Sequence, residues 1–207
     1  MANIGKRLFA IVNYPRMLPV FLCVLCSKQK PLIKKDIARW NEINNMHLGF
    51  FESLNWYMTY KKEFRNLLMH RLKNPHRSFL CFVHYVIARI LWKPLETLYI
   101  NTIEIGGGLY IQHGFSTIIS AQKIGENCRI YQQVTIGYKN GELPPILEDN
   151  VSVTCGAKVL GNITMHSGSL AAAGAVVLKD VPENAIVAGV PAKIISFKDE
   201  NNLDFQG

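Results

Sequence analysis

The side chains best suited to moving a proton near neutral pH are six histidines, and two of them stand apart. His47, His70, His76 and His84 fall among the first hundred residues, which leaves His113 and His166 in the second half. His113 closes a glycine-rich stretch, Ile105-Gly-Gly-Gly-Leu-Tyr-Ile-Gln-His113. An imidazole titrates close to physiological pH, so one ring can take the proton of an attacking hydroxyl and hand it to a leaving group. A lone histidine is more often an ordinary surface or core residue, and composition does not choose between the two. His166 follows Met165 with no partner evident in the sequence and reads as structural. Cysteine is the other nucleophile available. Five cysteines without regular spacing agree with a reducing compartment. Cys23-Val-Leu-Cys26 has a redox or metal spacing but lies in an apolar run with no βαβ pattern around it, Cys128 reads as a small core residue, and Cys155 has no basic neighbour to stabilise a thiolate.

The element that must position His113 is a repeat. An apolar residue returns every sixth position as Ile118, Ile124, Ile130 and Ile136, then after one break as Leu147, Val153, Val159, Met165, Ala171 and Val177. Four positions on from these lie Cys128, Val134, Val151, Ala157, Ile163, Ser169, Ala175 and Val181. A helix wants apolar residues three and four apart, and a half-buried strand alternates, so neither sustains a period of six. A short fixed period marks a solenoid whose units bury their faces against their neighbours. A β-sandwich of short strands is the alternative, but it has no reason to hold that phase. Between the repeat positions fall Gly125, Asn127, Asp149, Asn150, Gly156, Gly161 and Asn162, where left-handed backbone is cheapest. The break, Gly137-Tyr-Lys-Asn-Gly-Glu-Leu-Pro-Pro-Ile146, is a loop thrown out from the scaffold, where function tends to sit.

The segments Ile124-Gly-Glu-Asn-Cys-Arg, Ile130-Tyr-Gln-Gln-Val-Thr, Val153-Thr-Cys-Gly-Ala-Lys and Val159-Leu-Gly-Asn-Ile-Thr resemble the hexapeptide repeats of left-handed parallel β-helix acyltransferases. The closing run from Ala175 to Ile195 is similar to the end of that domain in the serine acetyltransferase branch, and the pattern also resembles polysaccharide O-acetyltransferases. The resemblance covers roughly residues 100 to 195, with a fainter echo in Lys34-Lys-Asp-Ile-Ala-Arg-Trp40 and Phe64-Arg-Asn-Leu-Leu-Met-His-Arg71. It implies a mainly β fold in which three six-residue units make one triangular coil. The expected division is a basic α-helical region over 1–98, a left-handed β-helix over 99–188 with its loop at 137–146, and a C-terminal tail over 189–207.

By the same resemblance His113 is the general base of an acetyl-CoA-dependent acetyltransferase, and coenzyme A lies along the seam between subunits of a homotrimer. Its pantetheine arm would run near the backbone of Ala157 and Ala175, with Lys179 and Lys193 as phosphate contacts. Direct attack on a thioester needs a base, an oxyanion donor such as a backbone N–H, and alignment, but neither a metal nor an acyl-enzyme. A γ-type carbonic anhydrase shares the β-helix but needs three zinc-binding histidines, more than the repeat region holds. The chain also departs from serine acetyltransferases. Gln112 stands where that family typically has Asp, Glu142-Leu-Pro-Pro-Ile146 replaces a stretch that typically carries a second His, and the acidic partner of the base falls on Leu98, with Glu104 the nearest acid. An amino acid acceptor calls for matching charges, whereas a sugar hydroxyl can be held by Gln112, Tyr138, Asn140 and Glu142. The sequence therefore leads to O-acetylation of a sugar in surface polysaccharide assembly. Serine O-acetylation is the alternative, and a non-catalytic hexapeptide scaffold is the reading from another class.

The first hundred residues carry a charge balance of +11 and the remainder −3, so the basic excess of this +8 chain sits in the half that reads as helical. Met46 to Met69 and Arg77 to Leu98 have apolar residues at helical spacing. No nucleic-acid-binding motif accompanies the basic charge, which leaves two readings, the solvated face of a helical oligomerisation domain or contact with an anionic membrane surface. The apolar stretch Met17 to Cys26 is flanked by Lys6, Arg7, Arg16, Lys28, Lys30, Lys34 and Lys35, a pattern that suits contact with an anionic membrane surface through which a lipid-linked glycan could be reached. It is shorter than the roughly 20 residues a span needs, is interrupted by Pro19, and is followed by no signal-peptide cleavage pattern. The expected location is the cytoplasm or the inner face of its membrane. The terminal residues 202–207 carry no functional weight.

Overall fold

The computed structural model describes residues 4–73 and 79–198 and divides the chain into two compact units, Met1–Glu96 and Thr97–Gly207. His76, Arg77 and the 202–207 terminus lie outside the described residues.

The first unit is helical: α1 Ile4–Val12, α2 Tyr14–Leu25, α3 Lys30–Ile43, α4 Phe50–Tyr60, α5 Lys62–Leu72 and α6 Phe79–Leu91. The helical pattern expected from Met46 to Met69 is broken at Lys61, whose extended φ of −122° separates α4 from α5. The one expected from Arg77 to Leu98 stops at Leu91, because Leu98 belongs to a strand. The core of this unit is built where α3, α4 and α5 meet. Trp40 packs edge-on against Tyr57 and Phe64, at ring separations of 5.4 and 5.1 Å. Each such ring removes a large apolar area from water, about 1.5–3 kcal/mol for a fully buried side chain. Within it Arg71 forks onto Asp36, Nε–Oδ2 3.0 Å and Nη2–Oδ1 3.1 Å, both groups being buried.

The second unit is a left-handed parallel β-helix of about five turns. Its strands form three parallel ladders. The first holds β1 Leu98–Ile100, β4 Thr117–Ile119, β7 Thr135–Gly137, β10 Lys158–Leu160 and β13 Val176–Val177. The second holds β2 Glu104–Ile105, β5 Lys123–Ile124, β8 Ile146–Leu147 and β11 Thr164–Met165. The third holds β3 Tyr110–Ile111, β6 Arg129–Ile130, β9 Ser152–Val153, β12 Leu170–Ala171 and β14 Ala185–Ala188. Ile130, Val153 and Ala171 stack directly, as do Ile136, Val159 and Val177, so the period of six is the period of one strand and one corner. From Ile124 to Val177 the inward set is buried, together with the set four positions on, from Cys128 to Val181. Burial pushes the Cys128 thiol up to about 12, which removes it as a nucleophile.

Three details differ from the sequence expectation. Ile118 points outward, 42% exposed, and Ile119 takes the inward position opposite Ile136. Residues 193–197, expected within a tail, form β15, which pairs antiparallel with β14. Asn127, Asn150, Gly156 and Gly161 adopt left-handed backbone, but Gly125 is required for a different reason. A Cβ there would come within 2.6 Å of the Glu148 carbonyl carbon on the next coil.

Candidate active site

His113 sits where the repeat fails. The inward residues Ile111 and Ile119 are eight positions apart, against the six that separate Ile124 from Ile130, and the surplus is folded into the corner between β3 and β4. Three residues there hold left-handed backbone: His113 at φ 63°, Gly114 at 55° and Ser116 at 52°. For residues other than glycine that conformation costs on the order of 1–3 kcal/mol each, so the surroundings must hold it. The Gln112 N–H donates to Ile130 O at 2.9 Å, and the Gln133 N–H donates to Phe115 O at 2.9 Å, tying both ends of the corner to the second coil. The buried Thr117 hydroxyl is shared between Phe115 O at 3.2 Å and Tyr131 O at 3.3 Å. The His113 ring is exposed and has no hydrogen-bond partner among the described residues. Both ring nitrogens are therefore open to a ligand.

The same edge of the prism, between the third and first ladders, carries four further corners stacked above this one. The second coil contributes Gln132 and Gln133, the third Cys155 to Ala157, the fourth Ala173 to Ala175, and the fifth Gly189 to Ala192. Backbone bonds run up the edge from Gly156 N–H to Gln132 O at 3.0 Å and from Gly174 N–H to Cys155 O at 2.9 Å. His113, Gln112, Ala157 and Ala175 are thus brought to one edge. Coils repeat about every 4.8 Å, so three rungs place about 14 Å between the His113 corner and that of Ala175. At two of the upper corners glycine leaves room. A Cβ on Gly174 would meet nothing within 4 Å, and one on Gly156 would meet only Gly174, at 3.8 Å. The result is a backbone-lined track leading to an imidazole. Sequence reasoning missed two polar groups beside it. Lys158 Nζ donates to Gln133 O at 3.0 Å and to Gly156 O at 2.9 Å, and Gln132 has a buried Oε1 without a hydrogen-bond partner.

The remaining expected residues fall elsewhere. Lys179 and Lys193 come together on a cavity of about 330 Å³ at the last coil, with Asp180 between them and apolar walls of Val177, Leu178 and Ile194. Tyr138, Asn140 and Glu142 belong to the loop that leaves β7 on the edge between the first and second ladders. Gln122 anchors that loop from the second coil, its side-chain amide donating to Pro144 O at 2.7 Å and its backbone N–H to Pro145 O at 2.8 Å. Within one chain the loop therefore lies on a different edge from His113. His166 is not partnerless: its Nδ1 lies 3.2 Å from Glu148 Oε1 on the edge between the second and third ladders. The Ser167 backbone N–H, donating to Glu148 at 2.9 Å, and then His166 hold the Glu148 carboxyl below its usual range.

Comparison with known proteins places this geometry. No family model matches the sequence. A serine acetyltransferase of Bacillus subtilis is 39% identical over 174 residues, covering 79% of this chain and 76% of that protein. The chain belongs to the serine acetyltransferase family. A serine acetyltransferase of Synechococcus elongatus is 43% identical over 96 residues, 44% of this chain and 39% of that protein. The chain spans about half the length, or less, of several curated relatives it matches, with shares of 39%, 55% and 44%. The crystal structure of Neisseria gonorrhoeae serine acetyltransferase in complex with serine superposes with a TM-score of 0.61 at 25% identity, covering 84% of this chain and 72% of that one.

Neither of the two positions considered for an acid beside His113 supplies one to its ring among the described residues. Leu98, the position matched to the acidic partner of the base, is buried and pairs with Thr117 in the first ladder. Glu104, the nearest acid in sequence, is on the second ladder and forms an ion pair with Lys123 at 2.8 Å, which raises the lysine's pKa. Among the described residues no carboxylate hydrogen-bonds the His113 ring, and the residue is held in the left-handed corner by its backbone.

Proposed function

We propose that the chain transfers the acetyl group of acetyl-CoA to a hydroxyl, with His113 as general base and serine as the acceptor. The observation that supports the base is its position: an open imidazole on a corner the repeat does not require, on the same edge as the open glycine corners at Gly156 and Gly174. In this reading the hydroxyl oxygen attacks the thioester carbonyl, the C–O bond forms and the C–S bond breaks. His113 takes the hydroxyl proton and returns it to the departing coenzyme A thiolate. The pantetheine arm runs beside the backbone of Ala157 and Ala175, where Gly156 and Gly174 admit it, and Lys179 and Lys193 receive phosphate at the end of the helix. Gln132 and Gln112 are assigned to the acceptor side.

The names of the relatives put serine ahead of a sugar, reversing the order drawn from the sequence. Part of the sugar argument also loses its footing, because Tyr138, Asn140 and Glu142 share no edge with His113 in one chain. A homotrimer belongs to this proposal. The outward face of the first ladder presents Tyr99 and Ile118, 57% and 42% exposed, which a neighbouring copy would cover.

The deciding experiment follows thiol release from acetyl-CoA with serine and, separately, with a panel of sugars, alongside calorimetry of acetyl-CoA binding. Turnover with serine supports the proposal. Turnover with a sugar alone transfers the acceptor assignment to polysaccharide O-acetylation, and absence of acetyl-CoA binding returns the chain to a non-catalytic scaffold.

A further inference from the structure

The helical unit carries an apolar surface that the acetyl-transfer reading leaves unused. On α1 the residues Ile4, Leu8, Ile11 and Val12 form a stripe at helical spacing, and all are exposed, Ile4 at 77%. On α2 the stripe is Leu18, Leu22 and Leu25, while Met17, Val20, Cys23 and Val24 on the opposite face are buried. On α6 it is Phe79, Phe82, Val86 and Ile90, with Phe79 81% exposed, and Ala88 is the only buried residue of that helix.

The helices are neighbours. Arg16 Nη2 donates to Leu91 O at 2.7 Å and Trp92 Nε1 donates to Arg16 O at 3.1 Å, while Cys23 Sγ lies 3.7 Å from Cys81 O. The start of α2 thus meets the end of α6, and the two run antiparallel. The inner sides of α1 and α2 are occupied by α4, with Phe9 against Tyr60 at 6.4 Å and Phe21 against Phe51 at 5.3 Å. The stripes are what remains outside. Water-soluble surfaces seldom gather so many large apolar groups, and contiguous patches of this kind mark interaction sites.

Charge selects the partner. The first 35 residues hold seven cations, Lys6, Arg7, Arg16, Lys28, Lys30, Lys34 and Lys35, and no acid before Asp36, which is buried against Arg71. At the start of α2, burial and then the Glu52 carboxylate on α4 raise the pKa of Tyr14. Among the described residues no single helix is long and apolar enough to cross a membrane, and α1 and α2 are bent by 66° at their junction. Short amphipathic helices with lysine at their margins lie in the plane of an interface, with apolar residues among the acyl chains and cations among anionic headgroups.

We propose that α1, α2 and α6 form a peripheral docking surface for an anionic lipid bilayer. The test uses the full chain and sedimentation with vesicles of phosphatidylglycerol and phosphatidylcholine, or of phosphatidylcholine alone, at low and high salt. The expected result is binding to the anionic vesicles at low salt, loss at high salt, and little binding to the neutral ones. Replacing Lys6 and Lys28 by Gln lowers the partition coefficient roughly 10- to 30-fold. Replacing Leu8, Leu18 and Phe82 by Gln abolishes binding with helicity and unfolding midpoint unchanged, since all three are exposed. Failure to sediment with anionic vesicles at low salt overturns the proposal, as does equal binding to neutral vesicles or binding that survives the triple apolar change. A triple change that instead lowers the mass of the protein in the ultracentrifuge, with no lipid binding by the parent, assigns the face to a second copy and also overturns it.

Discussion

Replacing His113 separates its chemistry from its strain, because its backbone is left-handed at φ 63°. Asn adopts that conformation more readily than His or Ala, so His113→Asn keeps the corner and removes the base. The surrounding hydrogen bonds, Gln112 to Ile130 and Gln133 to Phe115, are made by backbone atoms and survive the change. The exposed ring contributes little burial, so stability should stay within about 1 kcal/mol of the parent, with Asn at least as stable as Ala. Loss of general-base catalysis should lower kcat by roughly 10²- to 10⁴-fold, equivalent to about 2.7–5.4 kcal/mol on the barrier. The assay is thiol release from acetyl-CoA at saturating serine, with KM for acetyl-CoA measured separately and the unfolding midpoint recorded for each variant. A His113→Asn protein with an unchanged midpoint and more than a third of the parent kcat would refute the assignment.

Three further outcomes follow from the geometry. Gly106→Ala should destabilise by about 1–3 kcal/mol, because its Cβ would meet the Gly125 carbonyl at 2.6 Å, whereas Gly137→Ala has open space and should be nearly neutral in denaturant titrations. Gly174→Val should raise KM for acetyl-CoA tenfold or more by filling the track, at a stability cost of about 1–2 kcal/mol from its left-handed φ; unchanged KM would move the track elsewhere. Glu148→Gln should lower the unfolding midpoint at neutral pH. Its carboxyl titrates below the usual range in the folded state, so its contribution is complete above the unfolded carboxylate pKa near 4.3 and disappears as pH falls through the depressed folded value. The gap between parent and Glu148→Gln melts at pH 7 should therefore narrow at pH 3, and a constant gap would contradict the linkage.

The solenoid was legible because one apolar residue per strand must fill a closed interior, and that demand prints a period on the chain. The same logic failed at Ile118, because the inward residues Ile119 and Ile124 are only five positions apart, so a period of six counted back from Ile124 lands on the outward neighbour of Ile119. The length anomaly itself was a usable signal for the site. Which edge each corner occupies was harder to read. The loop that holds Tyr138 and Glu142 leaves the helix one full coil and one ladder after the His113 corner, and only the three-ladder register reveals that. Helix boundaries at Lys61 and Leu91 were hidden because apolar residues continue through both breaks. The His166–Glu148 contact joins successive coils 18 residues apart, a pairing that a period of six permits but that sequence reasoning did not use.

Under the proposed role of His113 as base, Leu98 at the position matched to an acid bears on how the ring is held. If Leu98 merely stood where a carboxylate once faced His113, Leu98→Asp should strengthen the base and raise the rate. The structure argues the reverse. Leu98 is 4% exposed and sits in β1 opposite the buried Thr117, so an aspartate there would be desolvated, with the hydroxyl already engaged by Phe115 O and Tyr131 O. A buried carboxylate without a partner either costs several kcal/mol or stays protonated, and in neither state does it hold an imidazolium. Leu98→Asp is therefore expected to lower the unfolding midpoint sharply at neutral pH, to recover part of that loss in acid as the carboxyl is protonated, and to leave kcat no higher than the parent. A stable Leu98→Asp protein with faster turnover would show that the ring can be oriented from the first strand. It would then be the carboxylate, and not the left-handed corner, that sets how well His113 works.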